Sequence, residues 1–235
     1  MENRFNKLKK EIKLRFTLGI ILFITILVVG FALCVIYKAY NYTVLVIIAT
    51  FLALPLSFLI GRRKFEMNKI ALIKDAVISL SKPFNTTYKY KKEVAIDDLA
   101  MLDVVNLAPY FYISSVIEAK YNDIMVNSYG IRFKATDKKM VLGRVIVFTF
   151  PEDSRVLKEN ITGSYLKNES YLKKIVVSNN KAYVFVSGYQ RNKMSIQYNF
   201  EPHDFVSYSE YASRITNEFN FYKNVIKNVT NNEVV

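Results

Sequence analysis

One cysteine, one histidine and seven glycines among 235 residues leave several chemistries without their parts. The lone Cys34 cannot close an intrachain disulfide, so no oxidising compartment is implied. Structural zinc sites draw on several Cys or His ligands, and one of each, with the thiol inside an apolar run, cannot build one. No glycine-rich phosphate loop occurs. Acidic residues are outnumbered, 20 Asp and Glu against 33 Lys and Arg, for a formal charge of +13. Asp97, Asp98 and Asp103 lack the spaced partners of a hard cation, and charge near a helix start accounts for the first two. His203 stands beside Asp204 with no third group of a relay evident, so a surface or capping role is expected for it. No metal, no cofactor and no catalytic residue is expected, and the chain reads as a non-enzyme.

What the chain does have is apolar length. Residues 16–37 and 42–59 contain no charged side chain. A helix rises about 1.5 Å per residue and needs roughly 20 residues to cross a bilayer. The pair, with its short connection, is expected to form a transmembrane helical hairpin over 16–61. A cleaved signal peptide is disfavoured, because the first run is too long and a second follows almost at once. Leu33 directly before Cys34, with the apolar run continuing past it, argues against lipidation.

Charge sets the expected orientation. Arg4, Lys7, Lys9, Lys10, Lys13 and Arg15 precede the first run, and Arg62, Arg63, Lys64, Lys69 and Lys74 follow the second. Between the runs only Lys38 is charged. The positive-inside rule puts both termini in the cytoplasm and the turn outside, with Tyr37, Tyr40 and Tyr42 at the outer interface. The Asn-x-Ser/Thr patterns starting at Asn41, Asn85, Asn160, Asn168 and Asn228 are read as chance in an asparagine-rich chain.

The spacing of Ile70, Ile73, Val77 and Leu80 predicts a juxtamembrane helix within 62–83, ended by Pro83. Beyond it, 84–235 reads as a cytoplasmic α+β domain. A short helix is predicted over 96–107. Strands are predicted over 112–120, 124–134 and 141–150 as one antiparallel meander, and over 174–178, 181–187 and 193–200 as a second. Gly130 and Gly143 are candidate bulges. The last helix has an apolar face of Phe205, Tyr208, Ala212, Ile215, Phe219, Tyr222, Ile226 and Val229. That face either packs on the domain's own sheet or forms a seam with a partner, although Tyr, Ala and Phe are poor seam residues.

Several segments together carry a resemblance. They are the two apolar runs, Lys82-Pro83 after a basic helix, Tyr88-Lys89-Tyr90, the strand pair over 112–133, the strand Gly143-Arg144-Val145-Ile146-Val147-Phe148, the segment Asn180-Lys181-Ala182-Tyr183-Val184-Phe185-Val186, and Phe200-Glu201-Pro202 before a closing amphipathic helix. In this order they resemble the bacterial membrane family catalogued as domain of unknown function 3137. The resemblance implies an architecture and a bacterial inner membrane, and it brings no activity or site residue with it.

The expected fold is therefore α+β: an N-terminal two-helix transmembrane hairpin, 16–61, after a basic cytoplasmic stretch, 1–15, then a soluble domain of antiparallel strands with flanking amphipathic helices. Three functions fit. The first is a membrane-anchored binding or scaffolding module whose partner is another protein or a second copy of itself. The interaction face would be Phe205, Tyr208, Ile215, Phe219, Tyr222 and Ile226. The second is a membrane-bound enzyme acting on lipid or envelope precursors. The third is an anionic-lipid sensor using Arg62, Arg63, Lys64 and Lys69. Lys134, Lys138, Lys139 and Arg144 read as a solvated basic rim, and no nucleic acid partner is expected.

Overall fold

The longest element, α1 (Glu2–Ile36), runs 35 residues without a break. The computed structural model describes residues 1–38, 40–59, 62–90, 111–134, 140–154, 156, 172–187, 202 and 205–231. These divide into two compact units, Met1–Leu72 and Ile73–Val235. The helix expected over 96–107, the strand over 193–200, the acids Asp97, Asp98 and Asp103, His203, Lys138 and Lys139 lie outside the described residues.

In the first unit, α1 joins the basic residues of 1–15 to the first apolar run as one helix. Nothing between Glu2 and Ile36 breaks it, because the charged segment contains no proline and its two asparagines, Asn3 and Asn6, are tolerated. At about 1.5 Å per residue it exceeds the roughly 30 Å hydrocarbon core by several turns. Lys38, with a left-handed φ of 53°, and a 3-10 turn at Tyr40–Tyr42 reverse the chain. The second apolar helix, α2 (Thr43–Leu59), has 17 residues with Pro55 inside. Among the described residues, then, one helix is long and apolar enough to cross a membrane, and a shorter apolar helix accompanies it, where two spans were expected.

Packing between α1 and α2 is close. Phe23 meets Phe51 edge-on at 6.0 Å between centroids. A Cβ on Gly30 would fall 2.5 Å from Cγ1 of Val46, so only glycine permits this approach. Contacts that climb α1 descend α2. The buried Thr50 hydroxyl donates to the Val46 carbonyl at 2.7 Å and leaves no polar group orphaned there.

The third helix, α3 (Arg62–Leu80), begins in the first unit and ends in the second. Leu72, Ile73, Ala76 and Val77 are its buried apolar residues, while Ile70 and Leu80 of the expected stripe are only half-buried. Ser81 N–H donates to the Val77 carbonyl and Phe84 N–H to that of Ser81, closing the helix where Pro83 forbids its continuation.

Among the described residues the second unit is built on one six-stranded antiparallel sheet: β1 (Asn85–Tyr90), β2 (Phe111–Tyr121), β3 (Ile124–Lys134), β4 (Met140–Thr149), β5 (Leu172–Ser178) and β6 (Lys181–Ser187). Their order is β1-β2-β3-β4-β6-β5. The two expected meanders are thus one sheet, joined because β6 rather than β5 pairs with β4. The Tyr- and Lys-rich stretch after Pro83, assigned no element from sequence, supplies edge strand β1. Two-residue turns at Asn122-Asp123 and Asn179-Asn180 each place an asparagine at φ 52°, a conformation that Asn tolerates and tight hairpins require. The bulge falls at Ser114 on β2, opposite the expected Gly130, and the Ser114 hydroxyl donates to the Gly130 carbonyl at 3.1 Å. Gly143 pairs with Ile131 and Ser187 in unbroken register.

The closing helix, α4 (Tyr208–Asn231), opens on a cap. Ser207 Oγ accepts from Glu210 N–H at 3.2 Å, and Glu210 accepts from Val206 N–H at 3.0 Å. Its apolar side packs on the sheet face that carries Ser128, Arg144, Ile146 and Phe148. Phe148 lies 6.2 Å from Phe221 and 6.0 Å from Tyr222, and Phe84 joins Phe219 at 5.5 Å. On the opposite sheet face Tyr129, Ile131, Val145, Val147, Tyr183 and Phe185 are buried as well. Burial of both faces explains why residues 145–148 of β4 and 182–186 of β6 read as apolar runs rather than as alternations.

Candidate functional site

A buried polar cluster sits where α4 crosses β3 and β4. Arg144 on β4 places Nε 2.7 Å from Glu218 Oε1, and neither side chain has any exposed area. Arg144 Nε also donates to Ser128 Oγ at 2.7 Å, and Ser128 donates to Glu218 Oε1 at 3.2 Å. The Tyr222 hydroxyl, one turn along α4, donates to the same carboxylate oxygen. One oxygen thus gathers the guanidinium and two hydroxyls. Glu218 Oε2 finds no hydrogen-bond partner among the described residues.

Electrostatics follow from this burial. Desolvation pushes the Glu218 carboxyl above its ordinary value, opposed by the Arg144 cation and by hydrogen bonds from Tyr222, Ser128 and Arg144. Tyr222 is held well above the ordinary tyrosine value by burial first and by the neighbouring Glu218 charge second. The cluster offers a substrate no approach, since all four side chains are fully covered. What it does is fix the position of α4 over two particular strands, because any axial slip would strand a charge in the core.

Arg144 is therefore a core residue and not part of the solvated rim expected from sequence. Glu218 was missed altogether. The signals were a charge at the head of the apolar run of β4, and a carboxylate on the buried side of α4 between Ile215 and Phe219.

The other expected site residues separate by exposure. Arg62, Arg63 and Lys64 are exposed at the start of α3. Lys69 is buried and paired with Glu66 at 2.7 Å, so it stands apart from them. Phe205, Ile215, Phe219, Tyr222 and Ile226 are buried within the chain itself, and Tyr208 is half-buried beside Tyr211. Their side chains fill the core beneath α4. Cys34 is a free buried thiol in α1. Among the described residues no group of three or more His, Cys, Asp or Glu gathers to hold a metal.

Exposed apolar side chains run along both apolar helices of the first unit. Along α1 and α2 exposed side chains include Phe16, Ile21, Ile24, Val28, Val35, Leu45, Ile48 and Phe51, with Val28 61% and Phe51 68% exposed. Soluble proteins rarely leave contiguous apolar area of this extent in water. No family model, curated protein or solved structure matches the chain.

Proposed function

We propose that the chain is a membrane protein in which α1 and α2 cross a bacterial inner membrane as a hairpin. They would hold the α+β domain on the cytoplasmic side as a non-enzymatic binding or scaffolding module for another protein or a second copy of itself. The observation that carries the reading is the run of exposed large apolar side chains on both helices. Gly30 against Val46 supports a paired arrangement, since small residues allow helices to approach in lipid. The 17 residues of α2 are at the short end of the range for a spanning helix. The basic flanks favour cytoplasmic termini. The resemblance to the family of domain of unknown function 3137 belongs to the same proposal.

The binding role draws support from a domain whose polar cluster is sealed within its core. Fractionation of cells expressing the chain tests the anchor. Retention of the uncleaved chain in membranes after alkaline carbonate extraction is expected. Release by carbonate, or a mature chain lacking α1, overturns it. Affinity capture on those membranes then tests the module: a defined partner, or self-association, that is lost when a surface residue of the domain is changed is expected. Turnover of a lipid or envelope precursor by the purified full chain contradicts the non-enzymatic reading.

A further inference from the structure

The charges of the first unit gather at one end. Arg15 stacks its guanidinium over the Phe65 ring at 4.9 Å, which brings the start of α3 beside the start of the apolar part of α1. Arg62, Arg63 and Lys64 therefore lie at the same end as Lys10 and Lys13, and all five are exposed. The carboxylates nearest in sequence are committed: Glu11 pairs with Arg15 at 2.9 Å and Glu66 with Lys69 at 2.7 Å. None of the five exposed cations has an ion pair among the described residues. At the opposite end the connection holds only Lys38. Positive charge that its own carboxylates do not neutralise calls for an anionic partner, and its place at one rim of an apolar helix pair indicates where that partner lies.

We propose that Arg62, Arg63 and Lys64, with Lys10 and Lys13 of α1, bind the phosphate of acidic phospholipids in the leaflet at that rim. This rests on the membrane-anchored reading above. Two adjacent guanidinium forks suit a phosphodiester, which each can hold through two parallel N–H donors, whereas a lysine offers a point charge. The site thus distinguishes charge from geometry. Replacing both arginines by lysine keeps the former and removes the latter.

The test is native mass spectrometry of the full chain in an uncharged detergent, titrated with phosphatidylglycerol or with phosphatidylcholine. The parent is expected to retain phosphatidylglycerol in preference, and added salt is expected to weaken that retention. R62Q/R63Q/K64Q should lower it by about tenfold or more, with R62K/R63K falling between. Equal retention of the two lipids, or a triple glutamine variant that binds as the parent does, overturns the site. The changes are at exposed positions, and an unaltered melting temperature of each variant establishes that it is folded. A chain that stays soluble without detergent overturns this site together with the membrane reading. A chain that needs detergent yet shows no headgroup preference overturns the site alone.

Discussion

Arg144 and Glu218 lie 2.7 Å apart across the seam between β4 and α4, with neither side chain reaching solvent. Residues 74 positions apart in sequence are thereby tied at one point, and the tie is ionic in a seam whose other contacts are largely apolar. Isolated buried charges cost far more than buried pairs, so the two residues depend on one another.

That dependence predicts non-additive mutations. E218A leaves the guanidinium without its carboxylate and should destabilise the domain by about 3–5 kcal/mol, as should R144A. R144M/E218L, which refills the volume with apolar atoms, should cost less than either single change. Chemical denaturation of the full chain in detergent, followed by tyrosine fluorescence, measures all three. A double variant as unstable as the sum of the singles contradicts the pairing.

Stability should also depend on pH through Glu218. Its folded carboxyl titrates above the ordinary value of 4.5 because of burial, so folding retains a proton that the unfolded chain releases. The contribution is full below the unfolded pKa and is lost as pH rises through the folded one. The stability difference between parent and E218Q should therefore fall as pH increases from about 4.5, in parallel denaturation series. A difference that rises over that interval contradicts the assigned direction.

Gly30 yields a prediction for the helix pair. G30A puts a methyl group 2.5 Å from Val46 Cγ1 and should destabilise α1–α2 packing by about 1–3 kcal/mol. V46A should relieve much of that cost in the double variant. Thermal unfolding of the full chain in detergent checks it, and an undiminished penalty in G30A/V46A contradicts the contact.

The cap on α4 is a smaller and cleaner test. S207A removes the acceptor for Glu210 N–H and should cost about 1 kcal/mol. Hydrogen exchange in the first turn of α4 should accelerate, while exchange in β3 and β4 stays unchanged. Uniform acceleration contradicts a local cap.

Much of this fold was legible in the sequence because its signals are local. The gaps between predicted strands at 121–123 and 179–180, each holding asparagine, mark the hairpins, and Pro83 marks the end of α3. The three- and four-residue spacing from Ile215 to Val229 marked the buried side of α4. Pairing between distant strands was not legible. Nothing local to β5 and β6 states that β6 returns to β4, because both are short strands of seven residues rich in apolar side chains. The cluster was hidden for the same reason. Arg144 looks like any lysine or arginine of a basic chain until Glu218 arrives from the far end, and the tyrosine that completes it was counted only as an apolar contact. The start of α1 carries no such mark in the sequence, because a charged stretch with no helix breaker continues a helix as readily as it ends one.

The proposed function requires the α+β domain to be held on the charged side of a membrane by a two-span anchor. Single-cysteine labelling in intact cells tests this most directly, on a C34S background with cysteine introduced at exposed Tyr40 or exposed Asp123. A membrane-impermeant maleimide should label Y40C in intact cells, and D123C only after the membrane is permeabilised. Labelling of D123C in intact cells, or of Y40C only after permeabilisation, would contradict it.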